Sequence, residues 1–171
     1  PAMPAARPVP SPRVPLPPQE AERLVALHGT GVLGTPPEPA FDEIVRLAAM
    51  LCQAPLAAVS LVDSRRQWFK ARIGFPTGET AREDSFCTHA ILSPAETLVV
   101  RDATQDPRFT QSALVTGQPH VRFYAGAPLV NRAGQALGAL CVADTEARDL
   151  SPQQGEVLQA LARQVMREIE N

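Results

Sequence analysis

The sequence predicts an α+β fold, a central and mostly antiparallel sheet of about five to six strands with helices on both faces. Two hairpin patterns carry the sheet. "LAAVSLVDSRRQWFKARIG" and "VRFYAGAPLVNRAGQALGALCVADT" each set two β-rich runs around a short polar turn. Helix-period segments before the first hairpin and after the second supply the remaining layers.

The first eighteen positions carry eight prolines, and proline cannot donate to a helix or a sheet ladder. Residues 1–17 therefore read as an extended or disordered tail, and residues 18–171 as a single domain. A helix starts near Gln19, with Leu24 and Leu27 one turn apart before Gly29 and Gly31 interrupt it. A stronger one runs through "FDEIVRLAAMLC", where Phe41, Ile44, Ala48 and Leu51 share a face that Val45 and Leu47 widen; Pro55 ends it.

Leu56 to Val62 is apolar at nearly every position, the pattern of a strand covered on both sides. Gln67 to Ile73 alternates, setting Phe69, Ala71 and Ile73 against Trp68, Lys70 and Arg72. Residues 74–84 read as a loop, 86–92 as a short helix capped by Ser85, 98–103 as a short strand, and "TQSALVTG" as a turn or two of helix. In the second hairpin Leu137, Ala139 and Cys141 share one face and Leu140 and Val142 the other, so its second strand is expected in the middle of the sheet. "SPQQ" at 151–154 is a capping box with Pro at the first helical position. Behind it Leu158, Leu161 and Val165 keep a three-four spacing. That pattern still runs at Asn171, so the helix is expected to continue in a longer parent protein.

Composition excludes several classes of function. A net charge of -2 with interspersed signs gives no basic footprint for nucleic acid. No apolar run reaches the roughly 18 residues of a membrane span, and Pro and Arg interrupt the N-terminal stretch that a signal peptide would need. The expected location is the cytoplasm. Cys52, Cys87 and Cys141 are an odd number without a CxxC, which suits reduced thiols. No Gly-rich phosphate loop, zinc spacing or Ser-His-Asp set is present, so no catalytic residue, metal or cofactor is expected.

The stretch "EDSFCTHAILSP", residues 83–94, brings Cys87 and His89 two positions apart. On a helix such residues point about 200° apart and cannot converge on one atom, whereas in an extended segment they would share a face. Free cysteine commonly serves as a small apolar residue. The helical reading therefore makes one of the two part of the core or of a pocket wall, and leaves no shared metal.

The run from "FDEIVRLAAMLC" through "LVVRDATQDPRF", followed by "RFYAGAPLV" and "GALCVADT", resembles a GAF domain, the small-molecule sensor module of many signalling proteins. The resemblance covers roughly residues 38–167 and implies a GAF/PAS-like sheet and a pocket between that sheet and the 84–120 region. By that resemblance Phe86, Cys87, His89, Asp102, Phe109, Val115, Phe123, Tyr124 and Cys141 would line the pocket. It also implies an unknown small-molecule ligand and a homodimer through the terminal helices, with Leu158, Leu161 and Val165 as the seam. The output domain would lie outside this chain, in a parent such as a two-component histidine kinase or a nucleotide cyclase.

Three ligand chemistries of that family leave signatures that can be compared. The Asn-Lys-Phe-Asp-Glu pattern of cyclic-nucleotide binders is absent, since Phe41-Asp42-Glu43 lies on an early helix without the Asn-Lys. Bilin attachment uses a Cys followed directly by His, and Thr88 intervenes here. Methionine sulfoxide reductases of this type use spaced loop cysteines; with Cys52 at a helix end and Cys141 in a central strand, a resolving partner for Cys87 is hard to place. Asp102 and Arg108 are expected to brace a loop together. The favoured reading is a non-catalytic sensor, with a ligand-free dimerisation or scaffold domain as the alternative and a Cys87-based redox sensor behind it.

Overall fold

A computed structural model describes residues 15–170; the proline-rich segment up to residue 14 lies outside the described residues, as does Asn171. The helices α1 (Glu20–Gly29) and α2 (Pro39–Leu51) come first, followed by the hairpin of β1 (Leu56–Val62) and β2 (Arg66–Ile73). A connecting region holds β3 (Glu79–Ala81), α3 (Cys87–Ala90), β4 (Leu98–Val100) and α4 (Ala113–Thr116). The second hairpin, β5 (Phe123–Val130) and β6 (Ala136–Asp144), leads into α5 (Pro152–Glu170). All neighbours pair antiparallel in a six-stranded sheet ordered β3-β2-β1-β6-β5-β4. The expected α+β architecture is therefore present, with β6 and β1 at its centre. The loop expected over 74–84 contains the edge strand β3.

The sheet divides two cores of different construction. On one face Phe41, Val45 and Ala48 of α2 and Leu158, Ala162 and Val165 of α5 close over Val59, Leu61, Ala125, Leu129, Leu140 and Val142. This side is long helices on aliphatic side chains. On the other face the cover is short: α3, α4 and the loops around them bury Phe86, Ile91, Phe109, Leu114 and Val115 against Ala58, Tyr124, Ala139 and Cys141. Long helices supply most of the first layer, whereas much of the second is irregular backbone, the material from which sites are commonly built.

Two irregularities of register decide which side chains face which core. Ser60 pairs with Phe69 while the preceding Val59 pairs with Ala71, so Lys70 is an extra residue in β2. The bulge sends Phe69 to the loop-covered face and Ala71 to the helix-covered face, correcting the uninterrupted alternation expected there. The Lys70 ammonium is buried against Glu38 Oε2 at 2.5 Å, Thr35 Oγ1 at 2.7 Å and the Pro36 oxygen at 2.7 Å, which fastens the α1–α2 linker to the sheet. A second shift between Leu129 and Val130 puts Leu137 on the helix side, away from Ala139 and Cys141 with which it was grouped.

The reciprocal cap of α5 forms as expected: Ser151 N donates to Gln154 Oε1 at 3.0 Å and Gln154 N to Ser151 Oγ at 3.1 Å. The three residues expected to form a seam on this helix differ in burial. Leu158 and Val165 are 0% exposed and belong to the core under α5, and Leu161 packs partly against it. Leu158 and Val165 are covered within the chain by α2 and the sheet, while Leu161 keeps part of its surface exposed. Leu51, expected on the buried face of α2, is exposed at its end together with Met50.

Candidate functional site

The residues before α3 determine what the loop-covered core contains. Ser85 does not cap α3, whose N-cap is Phe86 without a side-chain bond. Its hydroxyl turns inward and donates to Gln67 Oε1 at 2.7 Å, beside the Ser60 hydroxyl at 2.6 Å on the same oxygen. Gln67 Nε2 donates to Thr80 Oγ1 at 2.9 Å. A buried amide with every hydrogen-bonding atom engaged is thus set into an apolar wall, fixed from β1, β2, β3 and the α3 approach at once.

Phe86, Phe109 and Tyr124 fill the space in front of that wall. The Phe86 and Phe109 rings stack at 4.3 Å between centroids with 8° between planes, and Phe86 tilts against Tyr124 at 5.0 Å. Tyr124 can lie along its own strand because residue 126 is glycine. A Cβ there would come within 2.1 Å of the Tyr124 oxygen. The remaining cavity, bounded by Gln67, Phe69, Phe86, Tyr124 and Cys141 among others, has a volume of about 10 Å³. That is about the room needed for one water molecule.

Cys87 and His89 diverge, as the helical spacing requires. Cys87 is 1% exposed and its sulfur lies 3.0 Å from the Tyr124 hydroxyl. Burial pushes its thiol up, but hydrogen bonds with Cys141, Ser60, Tyr124 and Ser85 outweigh this, so the Cys87 thiol is held below its ordinary value. Cys141 is pushed well above its ordinary value, by its hydrogen bond to Cys87 and by burial. The structure thus sets Cys141 beside Cys87, a neighbour the sequence reading found hard to supply. Cys52 is on the helix side. Burial also raises Tyr124 well above the ordinary phenol range.

His89 points to the rim. Its ring meets Phe109 edge-on at 4.8 Å, and its Nδ1 is buried with no hydrogen-bond partner. Burial, helped by the Arg108 charge and opposed by Asp106, lowers its pKa, so the imidazole is neutral near pH 7. Val115 on α4 is buried in the same core, and Ser112 ties α4 to the α3 approach by donating to the Asp84 oxygen at 2.6 Å.

Two of the expected lining residues lie elsewhere. Phe123 precedes Tyr124 on β5 and therefore faces the helix layer, where the Arg148 guanidinium lies over its ring at 4.8 Å. Asp102 caps the turn after β4, accepting from Thr104 N at 3.0 Å and Thr104 Oγ1 at 2.6 Å. Arg108 pairs with Asp106 at 2.7 Å in place of the expected brace to Asp102. The site also includes Gln67, Ser60, Ser85 and Gly126, none singled out from the sequence. An i, i+2 Tyr-x-Gly on a strand was the available signal for Gly126. The inward Gln67 follows from alternation only once the bulge is known. Among the described residues no group of three or more His, Cys, Asp or Glu could hold a metal, and no helix is long and apolar enough to cross a membrane.

One link leaves the site. Arg82, in the 3-10 turn (Arg82–Asp84) that leads to Phe86, donates from Nη1 to Glu20 Oε1 of α1 at 2.5 Å and to the Asp63 oxygen at 3.1 Å. Thr88 Oγ1 donates back to the Arg82 oxygen at 2.6 Å. The turn that leads to Phe86 is therefore hydrogen-bonded to the first helix.

Comparison with known proteins agrees with this architecture. A family model described as GAF domain matches residues 36–169. A cyclic di-GMP phosphodiesterase of Pseudomonas aeruginosa is 42% identical over 156 residues, which are 91% of this chain and 26% of that protein. The chain thus spans about a quarter of the length of this relative. Among solved structures, the GAF domain of a phosphoenolpyruvate-protein phosphotransferase from Coxiella burnetii has a TM-score of 0.66 at 16% identity, covering 88% of this chain and 92% of that one. The free methionine-R-sulfoxide reductase of Neisseria meningitidis has a TM-score of 0.62 at 16% identity, covering 88% and 87%. At such identities the two structures establish the fold alone. Together with the family match over most of its length, they lead to one conclusion: the chain belongs to the GAF family.

Proposed function

We propose that this domain is a non-catalytic small-molecule sensor of a signal-transduction protein, and that Phe86, Phe109 and Tyr124 form a plug which a ligand displaces. The observation that carries the reading is the fully bonded Gln67 amide and the Cys87–Tyr124 pair, buried behind three aromatic rings under a cover of short elements. Displacement of Tyr124 would free its hydroxyl and the Cys87 thiol to orient a ligand, and the rings would set its shape. Movement of Phe86 would pull on Arg82 and so on Glu20 of α1, which gives a route to the terminal helices. A ligand acts through such a route only by binding the plugged and unplugged states with different affinity. The similarity to a much longer cyclic di-GMP phosphodiesterase supports a parent whose output is nucleotide signalling.

The cavity of about 10 Å³ favours a second reading, a regulatory or scaffold domain whose pocket is permanently filled by its own side chains. Native and denatured mass spectra of the protein purified from bacterial cytosol separate the two. A retained small molecule that is lost on denaturation supports the sensor. A bare chain in both spectra supports the self-filled domain, and a covalent mass mapping to Cys87 would replace both with thiol chemistry.

A further inference from the structure

Two arginines are buried around one carboxylate at the start of α1. Arg23 is 2% exposed and Arg82 is 6% exposed. Glu20 accepts from Arg23 Nε and Nη2, both at 2.9 Å, and from Arg82 Nη1 at 2.5 Å. Among the described residues, Arg23 Nη1, Arg82 Nε and Arg82 Nη2 are buried without an acceptor. Within this cluster, counted among the described residues, two guanidinium charges face one carboxylate, an excess of one positive charge. The nearby Asp63 carboxylate is engaged by His28 and Arg66. Buried donors and charges without partners are among the rarest features of folded proteins and call for an acceptor.

Arg23 is also a wall of a cavity of about 310 Å³. Pro17, Ile91, Leu92 and Pro94 make most of the wall apolar, Gln19 and Gln135 are its neutral polar groups, and none of its described lining residues is acidic. α1 begins at this cavity, and its N-cap Gln19 makes no side-chain capping bond, so first-turn amides add to the favourable field for an anion. The cavity shares no lining residue with the one behind Phe86 and Tyr124.

We propose that this cavity is a second binding site, for a small organic carboxylate with an apolar body. Its carboxylate accepts from Arg23 and balances the single excess charge, and its aliphatic part lies against Ile91, Leu92 and the prolines. One excess charge and few donors suit a monoanion better than a phosphate. The proposal does not rest on the sensor reading, since the two cavities share no lining residue, although the Arg82–Glu20 contact lies between them.

Calorimetric titration of the full chain with hexanoate, with inorganic phosphate as the comparison, tests it. Hexanoate is expected to bind saturably at one site, and phosphate to bind about tenfold more weakly or not at all. Arg23→Gln is expected to weaken hexanoate by about tenfold or more, the loss of a charge-assisted bond. Leu92→Trp, which fills the cavity and leaves the ion cluster untouched, is expected to abolish binding, and it decides the question if Arg23→Gln fails to fold. Absence of hexanoate binding, binding that survives Leu92→Trp, or phosphate binding as tight as hexanoate would each overturn the proposal.

Discussion

Replacing Phe86 with alanine is the perturbation that bears most directly on the plug. The side chain is 2% exposed and stacks on Phe109 at 4.3 Å and against Tyr124 at 5.0 Å. Truncating a buried phenylalanine costs about 3–5 kcal/mol, of which each aromatic contact accounts for about 0.5–1.5 kcal/mol. With a urea dependence of about 2 kcal/mol per molar, the midpoint should fall by roughly 2 M. Trp68, the sole tryptophan and partly buried against the helix-side core, provides the fluorescence signal. The void would join the existing gap and be apolar on most sides, so saturating benzene should recover part of the loss, as expected of a dry cavity on the order of 150 Å³. A cost below about 1 kcal/mol would show that the ring is not held as described. A full cost without benzene recovery would show that the cover collapses into the space.

Three further predictions use other contacts. Gly126→Ala puts a methyl 2.1 Å from the Tyr124 oxygen and 2.7 Å from the ring carbon bearing it, so it should cost about 1–3 kcal/mol in chemical denaturation, and Tyr124→Phe in that background should recover only part because the ring carbon stays. Burial raises the Glu20 pKa, but the hydrogen bonds and charges of Arg23 and Arg82 hold it below its ordinary value. Its folded pKa is therefore the lower one, and its stabilisation is complete above the unfolded value of about 4.3 and lost as pH falls through the folded value. Glu20→Gln should lower stability at pH 7 and flatten that acid limb; an unchanged limb in pH-dependent melting would remove Glu20 as its source. Cys52, Cys87 and Cys141 are each at most 1% exposed, so a thiol reagent should label native protein only at the rate of opening, with urea accelerating it; immediate labelling of Cys87 would contradict a closed cover.

Much of the fold was legible because hydrophobic period and turn chemistry agree over both hairpins, α2 and α5. Leu56–Val62 read as doubly covered and is, and Ser151 with Gln154 read as a reciprocal cap and forms one. The failures have local causes. A bulge at Lys70 and a register shift near Gly138 reverse facing without a distinct residue pattern. A three-four spacing on α5 signals an apolar stripe but not whether α2 or a second copy covers it. Alternation could have excluded Phe123 beside an inward Tyr124, since neighbours on a strand face opposite ways. The Cys87–Cys141 neighbourhood required the tertiary path from α3 to β6, which no spacing along the chain contains.

The plug is most directly tested through Tyr124, the only tyrosine in the chain. In protein labelled with 13C-tyrosine, its ring signals report on the site alone. Titration with the small-molecule fraction of a bacterial extract should shift these signals saturably, and Gly126→Ala, which displaces the ring, should abolish or alter the response. Ring signals that stay fixed across the whole fraction would contradict the sensor reading and leave a domain filled by its own side chains.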